Sequence, residues 1–303
     1  MYILKSVTVK TPATTANLGP GFDCLGMALD LWNELIVEEG DFNIEIQGEG
    51  KNQIPNDSRN LIVTGLESIF TYIGKKPKKF SYKCKNSIPF SRGLGSSSAA
   101  IVSGILAGAA LSGEDFSKET LVNLAAEIEG HPDNVAPAIY GGFTVGVKDQ
   151  TKWIIDEVKV PNELNAVLFI PDFCIETHKS RSNLPSTYSR SDVIYNIGRV
   201  ALLINAFSKN DLGLLNIATK DKIHQPFRSG SIPGFKVITR AAINGGAFGV
   251  YISGSGPTIV ALTIGNEVTV RYEIAEAARL SQIDGESVII PISQNGASII
   301  NHG

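Results

Sequence analysis

The feature that most constrains this chain is a glycine- and serine-rich segment, residues 89–100, which leads directly into small and apolar residues at 101–111. Gly93 and Gly95 allow the backbone to turn through positive φ and to approach a ligand closely. Where such a turn opens a helix, the first N–H groups lack partners and, with the helix dipole, favour an anion. The serine hydroxyls at 96–98 supply further donors, or an oxygen for Mg²⁺. The segment therefore predicts a phosphate-binding loop that leads into a helix.

Two other interpretations of this segment are weaker. A flexible Gly/Ser linker would continue into polar sequence, whereas this segment continues into an apolar stretch of helix length. A membrane-spanning helix needs roughly 18 apolar residues. The run at 99–111 is shorter, and Ser103, Gly104 and Gly108 interrupt it. Small residues at these positions indicate a helix that packs closely beneath the loop.

The loop differs from two common nucleotide-binding signatures. It contains no Gly-Lys-Ser/Thr sequence, so it does not match the P-loop of the NTPases. Its Gly93-Leu94-Gly95 sequence lacks the third glycine of the dinucleotide-binding fingerprint.

Composition excludes several classes of protein. A chain of 303 residues with 43% apolar residues is not wholly disordered, and it forms one large domain or two of ordinary size. Its 27 Lys and Arg against 30 Asp and Glu give a net charge of −3, which argues against a nucleic-acid partner. The N-terminal residues show no secretory signal, and we expect no membrane partner.

The cysteines and histidines favour a cytoplasmic protein without a zinc site. Cys24, Cys84 and Cys174 are odd in number and far apart, which is typical of reduced thiols rather than disulfides. The four histidines show no metal-ligand spacing.

Hydrophobic periodicity predicts alternating strands and helices along the whole chain. Residues 11–23 are rich in turn residues and indicate a surface turn. Ser58 is the expected N-cap of the first helix and Ser117 that of a later one, which ends at Gly130. We place a domain boundary near Pro161. The predicted strands are 6–10, 34–39, 42–47, 80–85, 141–148, 153–160, 166–173, 249–253, 258–263 and 287–293; the predicted helices are 60–73, 101–111, 117–130, 191–208, one ending at 245–246, and 266–282.

Three separated segments share motifs with one known family. Residues 89–97 follow the pattern P-x(3)-G-L-G-S-S, which resembles the phosphate loop of the GHMP kinase superfamily. Residues 17–23 (NLGPGFD) resemble the first motif of the homoserine kinase family, whereas many other superfamily members carry Pro-Gly-Lys there. Residues 129–137 (EGHPDNVAP) and 245–258 (GGAFGVYISGSGPT) are similar to the corresponding later motifs.

The resemblance implies a fold and a reaction. The fold would be a two-domain α+β GHMP kinase fold. Residues 1–161 would form a domain like ribosomal protein S5 domain 2, residues 162–303 a ferredoxin-like domain, and the site would lie between them. The reaction would be ATP plus L-homoserine giving ADP plus O-phospho-L-homoserine, a step towards threonine. The sequence leaves open whether the chain acts as a homodimer.

The resemblance also implies which residues bind the nucleotide and Mg²⁺. Asn60 matches a position near the adenine, and Ser97 and Glu129 match the Mg²⁺ ligands, with Glu127 left open as a rival carboxylate. We expect Gly95→Val to block nucleotide binding while leaving the fold nearly intact. The residues matched to ATP binding in the loop are Pro89, Phe90, Ser91, Arg92, Gly93, Leu94, Gly95, Ser96, Ser97, Ser98 and Ala99.

A zwitterionic substrate needs partners for a carboxylate and an ammonium group. The resemblance assigns the carboxylate to Arg181 and Arg228, whose guanidinium groups form forked hydrogen bonds. It assigns the ammonium group to Asp23, helped by the Asn17 amide. The alternative for each arginine is a solvent-facing side chain. His131, Asp133, Asn134, Thr177 and Gly254 also match substrate-side positions of the family.

The matched positions Asp133 and Asn134 raise the question of which group accepts the hydroxyl proton. Phosphoryl transfer usually runs through a loose transition state in which the nucleophile bonds late. We therefore hypothesise that Asn134 orients the hydroxyl and that no side chain is an essential base, with Asp133 as the alternative base. Two other functions stay open at this stage: phosphorylation of a different small molecule, and a non-catalytic protein that binds nucleotide or metabolite.

Overall fold

The computed structural model describes residues 4–301 and contains two β-sheets. The strands of the first sheet are β1 (Ser6–Ala16), β2 (Leu25–Glu39), β3 (Asn43–Gly48), β4 (Phe80–Asn86), β5 (Phe143–Asp149), β6 (Lys152–Val158) and β11 (Ser298–Asn301). Their order is β11-β1-β2-β4-β3, and β5 extends the sheet by pairing with the N-terminal part of β2 and with β6. All the pairs are antiparallel except β3 with β4.

Four helices cover this sheet: α1 (Leu61–Tyr72), α2 (Ser96–Ser112), α3 (Lys118–Glu129) and α4 (Val135–Tyr140). Helix α2 is buried over most of its surface, which its small and apolar residues on every side permit. A Cβ at Gly104 would lie 2.1 Å from the carbonyl oxygen of Ile62 in α1, so only glycine allows this approach. The small residues of α2 therefore do permit close packing, and the neighbour is α1.

The elements that follow β6 are β7 (Asn165–Pro171), α5 (Thr177–Ser182), α6 (Arg190–Ser208), α7 (Leu215–Ala218), α8 (Gln225–Arg228), α9 (Phe235–Asn244), β8 (Gly249–Ile252), β9 (Ile259–Thr263), α10 (Glu267–Leu280) and β10 (Gly285–Pro291). The four strands among these form the second sheet, which is antiparallel throughout, in the order β10-β7-β9-β8. Helices α9 and α10 pack on it through Ile238, Ala242, Val270 and Ile274.

A shared apolar core joins the two sheets. Met27 of β2 and Leu168 of β7 belong to one buried cluster, and Phe143 meets Phe207 of α6 edge-on at 5.0 Å between ring centroids. Strand β11 also belongs to the first sheet, although it follows the second sheet along the chain. Residue 161 lies in the connection between β6 and β7. The domain boundary placed there stays a prediction.

The α+β class and the long periodic elements are confirmed, and two local expectations are wrong. Residues 11–16 form a strand rather than a turn, because β1 continues its pairing with β2 past a bulge at Pro12 and Ala13. The N-cap of α1 is Asn60 instead of Ser58. The short elements α4, α5, α7, α8 and β11 were not expected, because they hold too few residues to show a period. Within residues 4–301 no helix is long and apolar enough to cross a membrane.

Candidate active site

A cavity of about 400 Å³ lies where the start of α2, the end of α3 and the loop after β8 meet. The structure brings all the predicted site residues to this cavity except Thr177 and Ala99. The side chain of Thr177 lies outside the described part of the structure. Sequence reasoning missed six further lining residues, of which only Ala100 and Ser255 lie within the glycine-rich segments 89–100 and 245–258: Ile54, Pro55, Arg59, Leu61, Ala100 and Ser255.

The start of α2 presents free backbone amides to the cavity. Its N-cap, Gly95, has a φ of 69° and offers no side-chain cap. The amide of Ala99 donates to the carbonyl of Gly95 at 2.8 Å, so the helical ladder begins there and leaves the amides of residues 96–98 at the open end. Ala99 itself does not line the cavity, because its amide is used within the helix and its side chain is buried in the shared core.

The Cβ direction of Gly95 overturns the expectation for Gly95→Val. A Cβ at this position would lie 2.0 Å from Thr14 Oγ1. That hydroxyl donates to Asn134 Oδ1 at 2.8 Å. A side chain at residue 95 would therefore enter the protein rather than the anion site, and the fold would not stay intact.

We predict that Gly95→Ala destabilises the protein much more than Gly74→Ala. Both glycines have a φ of 69°, but an added Cβ at Gly74 meets nothing within 4 Å. Gly74→Ala should lower the free energy of unfolding by about 1–2 kcal/mol, the cost of left-handed backbone. Gly95→Ala should lower the free energy of unfolding by this amount and by about 1–3 kcal/mol more, because the added Cβ overpacks against Thr14. Urea unfolding of the two variants measures the difference, and equal losses would show that the contact with Thr14 is relieved without cost.

Two serines of α2 converge on one carboxylate at the end of α3. Ser97 Oγ and Ser98 Oγ donate to Glu129 Oε1 at 3.2 and 2.8 Å. Glu127 is exposed and does not line the cavity. A hydroxyl and a carboxylate beside an anion-binding helix start form an oxygen donor set that suits a hard divalent cation. The residues present therefore fit Mg²⁺.

The Asn60 side chain is fixed by the backbone around it. Its Oδ1 accepts from the amide of Ile62 at 3.0 Å and caps α1, and its Nδ2 donates to the carbonyl of Pro55 at 2.7 Å. Asn60 therefore lines the cavity, although both ends of its amide group serve the local fold, and its place near the adenine stays a prediction.

Three polar residues after α3 form a connected group. His131 Nδ1 lies 2.6 Å from Asp133 Oδ1, and Asn134 Nδ2 donates to the same oxygen at 3.1 Å. Burial lowers the pKa of His131, but the hydrogen bond to Asp133 and the charges of Asp133, Asp23 and Glu129 outweigh burial and raise it to about 8. The imidazole is therefore cationic at neutral pH and paired with buried Asp133. The Asn134 amide is held from both ends.

The group Asp23, His131 and Asp133 also has the residue types of a metal site. Their ligand atoms all lie within 4.8 Å of one another. Asp23, however, pairs with Arg181 through two hydrogen bonds of 2.7 and 3.0 Å, and Asp133 pairs with His131. These ion pairs account for the clustering of charge.

Arg228 is buried, with 4% of its surface exposed, which excludes the solvent-facing alternative for this residue. Its Nη1 donates to the carbonyl of Gly254 at 2.7 Å. Burial, and next the charge of Arg181, lower the pKa of Arg228 to about 10, so it remains charged at neutral pH. Arg181 is more exposed than Arg228 and forms an ion pair with the Asp23 carboxylate. Both guanidinium groups lie over the Phe22 ring, 5.3 Å (Arg181) and 5.2 Å (Arg228) from its centroid.

Asn17 has a structural part in the site. Its Nδ2 donates to the carbonyl of Gly254 at 3.0 Å, and its Oδ1 accepts from the amide of Asp23 at 3.1 Å. Asn17 and Asp23 both adopt positive φ, 71° and 60°. Strained backbone of this kind is tolerated where the surroundings fix it, often at functional sites. Asn17 therefore holds Asp23 in place.

Comparison with known proteins assigns the chain to a family. The models of the GHMP kinase N-terminal domain and of the GHMP kinase C-terminal domain match residues 60–142 and 203–279. The homoserine kinase of Crocosphaera subtropica is 37% identical over 308 residues, which covers 100% of both chains. The homoserine kinase of Carboxydothermus hydrogenoformans is 44% identical over 258 residues, or 84% of each chain. The chain belongs to the homoserine kinase family.

Structural comparison agrees with this homoserine kinase family membership. The crystal structure of homoserine kinase from Cytophaga hutchinsonii matches with a TM-score of 0.89 at 29% identity, over 99% of both chains. The matches confirm the two-domain GHMP kinase fold and the family that the motif segments predicted.

Proposed function

We propose that this chain transfers the γ-phosphoryl group of ATP to the side-chain hydroxyl of L-homoserine, giving ADP and O-phospho-L-homoserine. The observation that carries the proposal is that one cavity joins the open amides of α2 to charged groups that suit an amino acid, Asp23 and Arg228. Membership of the homoserine kinase family supports the same reaction.

The nucleotide half of the site binds phosphate through the backbone. The amides of residues 96–98 and the helix dipole of α2 attract the polyphosphate. Ser97 and Glu129 would hold Mg²⁺, which would supply positive charge that offsets the negative charge of the phosphate groups. The side chain of Ser98 already contacts the same carboxylate, so it supports the orientation of Glu129.

The substrate half of the site contains an ion pair, Asp23–Arg181, whose two charges can each take a charged group of a zwitterion as a new partner. The Asp23–Arg181 pair is partly exposed, with 31% and 44% of the side chains accessible, and pairs of this kind contribute only about 0–1 kcal/mol. The ammonium group of homoserine replaces Arg181 at Asp23, and its carboxylate takes Arg181 and Arg228 as partners. No charge is left unpaired when the pair opens.

The hydroxyl of homoserine is oriented by Asn134. This amide is held by Thr14 at Oδ1 and by Asp133 at Nδ2, so its direction is set before the substrate binds. An amide cannot accept a proton at neutral pH. In a loose transition state the proton leaves late, and the γ-phosphate oxygens can take it.

Asp133→Asn tests whether a side chain is an essential base. We expect kcat at saturating substrates to fall by less than the roughly 10²–10⁴-fold that loss of a general base costs, and the acidic limb of its pH profile to persist. Asp133 is already engaged with His131 and Asn134, which favours a positioning role. The control is Asp149→Asn, an exposed aspartate at the end of β5. If kcat instead falls by roughly 10²–10⁴-fold, the acidic limb is lost and substrate binding stays intact, then Asp133 is the base.

A direct assay tests the function itself. ADP release is measured with ATP, Mg²⁺ and L-homoserine, and compared with L-serine, L-threonine and other small hydroxyl compounds. Turnover with homoserine at least about tenfold above the others in kcat/KM, a difference of about 1.4 kcal/mol, supports the proposal. A different preferred alcohol would indicate another small-molecule kinase of the superfamily, and nucleotide binding without turnover would indicate a non-catalytic protein.

Two further properties belong to the proposal. The three cysteines form no disulfide in the described chain, which is typical of proteins of the reducing cytoplasm, where we expect this chain to act. Whether it acts as a monomer or a homodimer is answered by its mass in solution.

A further inference from the structure

A fully buried histidine lies behind the substrate half of the cavity. His224 has 0% of its surface exposed, and both ring nitrogens make hydrogen bonds. Nε2 lies 2.7 Å from the carbonyl oxygen of Gly19, and Nδ1 lies 3.2 Å from Nη1 of Arg228. A carbonyl only accepts hydrogen bonds and a guanidinium only donates them, so the proton is on Nε2 and Nδ1 is an acceptor. Burial lowers the pKa of His224 to about 4, which agrees with a neutral ring.

This contact determines which edge of Arg228 is free. The two N–H groups of Nη1 point to His224 Nδ1 and to the carbonyl of Gly254. The Nε–Nη2 edge remains, and its Nε is a buried donor without a hydrogen-bond partner among residues 4–301. The same edge of Arg59 binds the carboxylate of Asp57, with Nε–Oδ1 and Nη2–Oδ2 distances of 3.0 and 2.8 Å. The unsatisfied edge of Arg228 therefore has the donor arrangement that a carboxylate binds in bidentate fashion.

The backbone fixes the position of His224 relative to Arg228. The Asp221 carboxylate accepts from the amides of Ile223, His224 and Gln225 at 2.8, 2.8 and 2.6 Å, which caps the turn that becomes α8. His224 and Arg228 are four residues apart on this turn and therefore share a face. Gly19 belongs to the segment 17–23 that also carries Asp23. His224 therefore links Arg228 to the loop that holds the aspartate assigned to the substrate ammonium group.

We infer that His224 is a positioning residue that presents the Nε–Nη2 edge of Arg228 to the substrate carboxylate, and so sets the preference for substrates with an α-carboxylate. The inference rests on the proposed function. His224 does not touch the substrate; it acts through Arg228.

Two substitutions separate the hydrogen bonds of His224. His224→Asn places an oxygen near the position of Nδ1 and loses the donor to Gly19. His224→Gln places an amide nitrogen near the position of Nε2 and loses the acceptor for Arg228. Because loss of a hydrogen bond to a charged group is costly, His224→Gln should raise the homoserine KM by about 10- to 100-fold. We expect kcat and the ATP KM to stay within about threefold, and His224→Asn to resemble the wild type.

L-homoserine amide, which lacks the carboxylate charge, gives a second measurement. Its KM should be nearly equal in the wild type and in His224→Gln, so the variant loses selectivity for homoserine over the amide. In an Arg228→Met background, His224→Gln should add no further rise in the homoserine KM, because the guanidinium group that His224 orients is already absent.

The outcomes separate the inference from the function on which it rests. A wild-type protein that releases no ADP with homoserine contradicts the proposed function. An active wild type with equal KM increases in both histidine variants, or with a fall in kcat alone, overturns the positioning role. Circular dichroism and thermal unfolding check that the variants fold. If His224→Gln does not fold, His224→Asn decides, since a folded Asn variant with a homoserine KM raised by more than about tenfold contradicts the inference.

Discussion

Arg228→Met is expected to raise the homoserine KM by roughly 30- to 4,000-fold while the ATP KM changes little. Truncating one partner of a buried, hydrogen-bonded charge pair costs about 2–5 kcal/mol, and each 1.4 kcal/mol is a factor of ten. Arg228 is 4% exposed, so water cannot replace the guanidinium group when it is removed. Methionine keeps much of the length of the side chain and limits the cavity that would form. The fall in kcat/KM for homoserine should therefore arise almost entirely in KM.

Arg240→Met is the matched control for this experiment. Arg240 lies on the exposed face of α9, away from the cavity, and its replacement should leave both KM values unchanged. Thermal unfolding of Arg228→Met is needed as well, because the arginine also donates to the Gly254 carbonyl and to His224. Equal rises in the KM of both substrates, or no rise in either, would show that Arg228 does not bind the carboxylate.

The parts of this site that sequence predicts are those whose chemistry is local. The turn at Gly95, the serines of α2 and Glu129 at the end of an amphipathic helix all lie within short segments with recognisable composition. An open helix start binds an anion wherever it occurs. The structure brings these segments to one cavity, as the family resemblance implies.

The parts that sequence does not predict depend on contacts between distant residues. His224 lies in no recognisable motif, and its importance follows from the Gly19 carbonyl, which lies 205 positions away in the sequence. Thr14 of β1 limits the space at Gly95, 81 positions later in the sequence. The pattern of residues does not show which buried backbone group will face which side chain, so such roles become visible only in the three-dimensional structure.

Polar residues matched to a ligand can also be committed to the fold. Asn17 and Asn60 were expected to face the ammonium group and the adenine, and the structure uses their amides to satisfy backbone groups. Buried N–H and C=O groups need partners, and a nearby asparagine supplies both a donor and an acceptor. For the fold, the same reasoning explains the strand at residues 11–16. Its pairing with β2 satisfies the backbone of a segment whose composition suggested a turn.

Glu129→Gln is expected to lower kcat by about 10²–10⁴-fold and to raise the Mg²⁺ concentration needed for half-maximal activity. Glutamine has the shape of glutamate, and its Oε1 can still accept from Ser97 and Ser98. The fold should therefore persist while the negative charge beside the start of α2 disappears. Without this charge, the hard cation that shields the phosphate oxygens is held less tightly. Isothermal calorimetry of Mg²⁺ binding to the ATP-bound protein measures the Mg²⁺ affinity independently of turnover.

Glu127→Gln is the control that decides between the two carboxylates. Glu127 lies on the same helix two residues earlier, is exposed, and does not line the cavity. The same change of charge at nearly the same place in the chain should leave kcat and the Mg²⁺ dependence within about twofold of the wild type, as for other surface substitutions. A large fall in kcat in Glu127→Gln, with a normal kcat in Glu129→Gln, would show that Glu127 and not Glu129 is the metal ligand. Equal small effects in both would show that neither carboxylate binds the cation, and the two serine hydroxyls would then serve only to hold Glu129 at the end of α3.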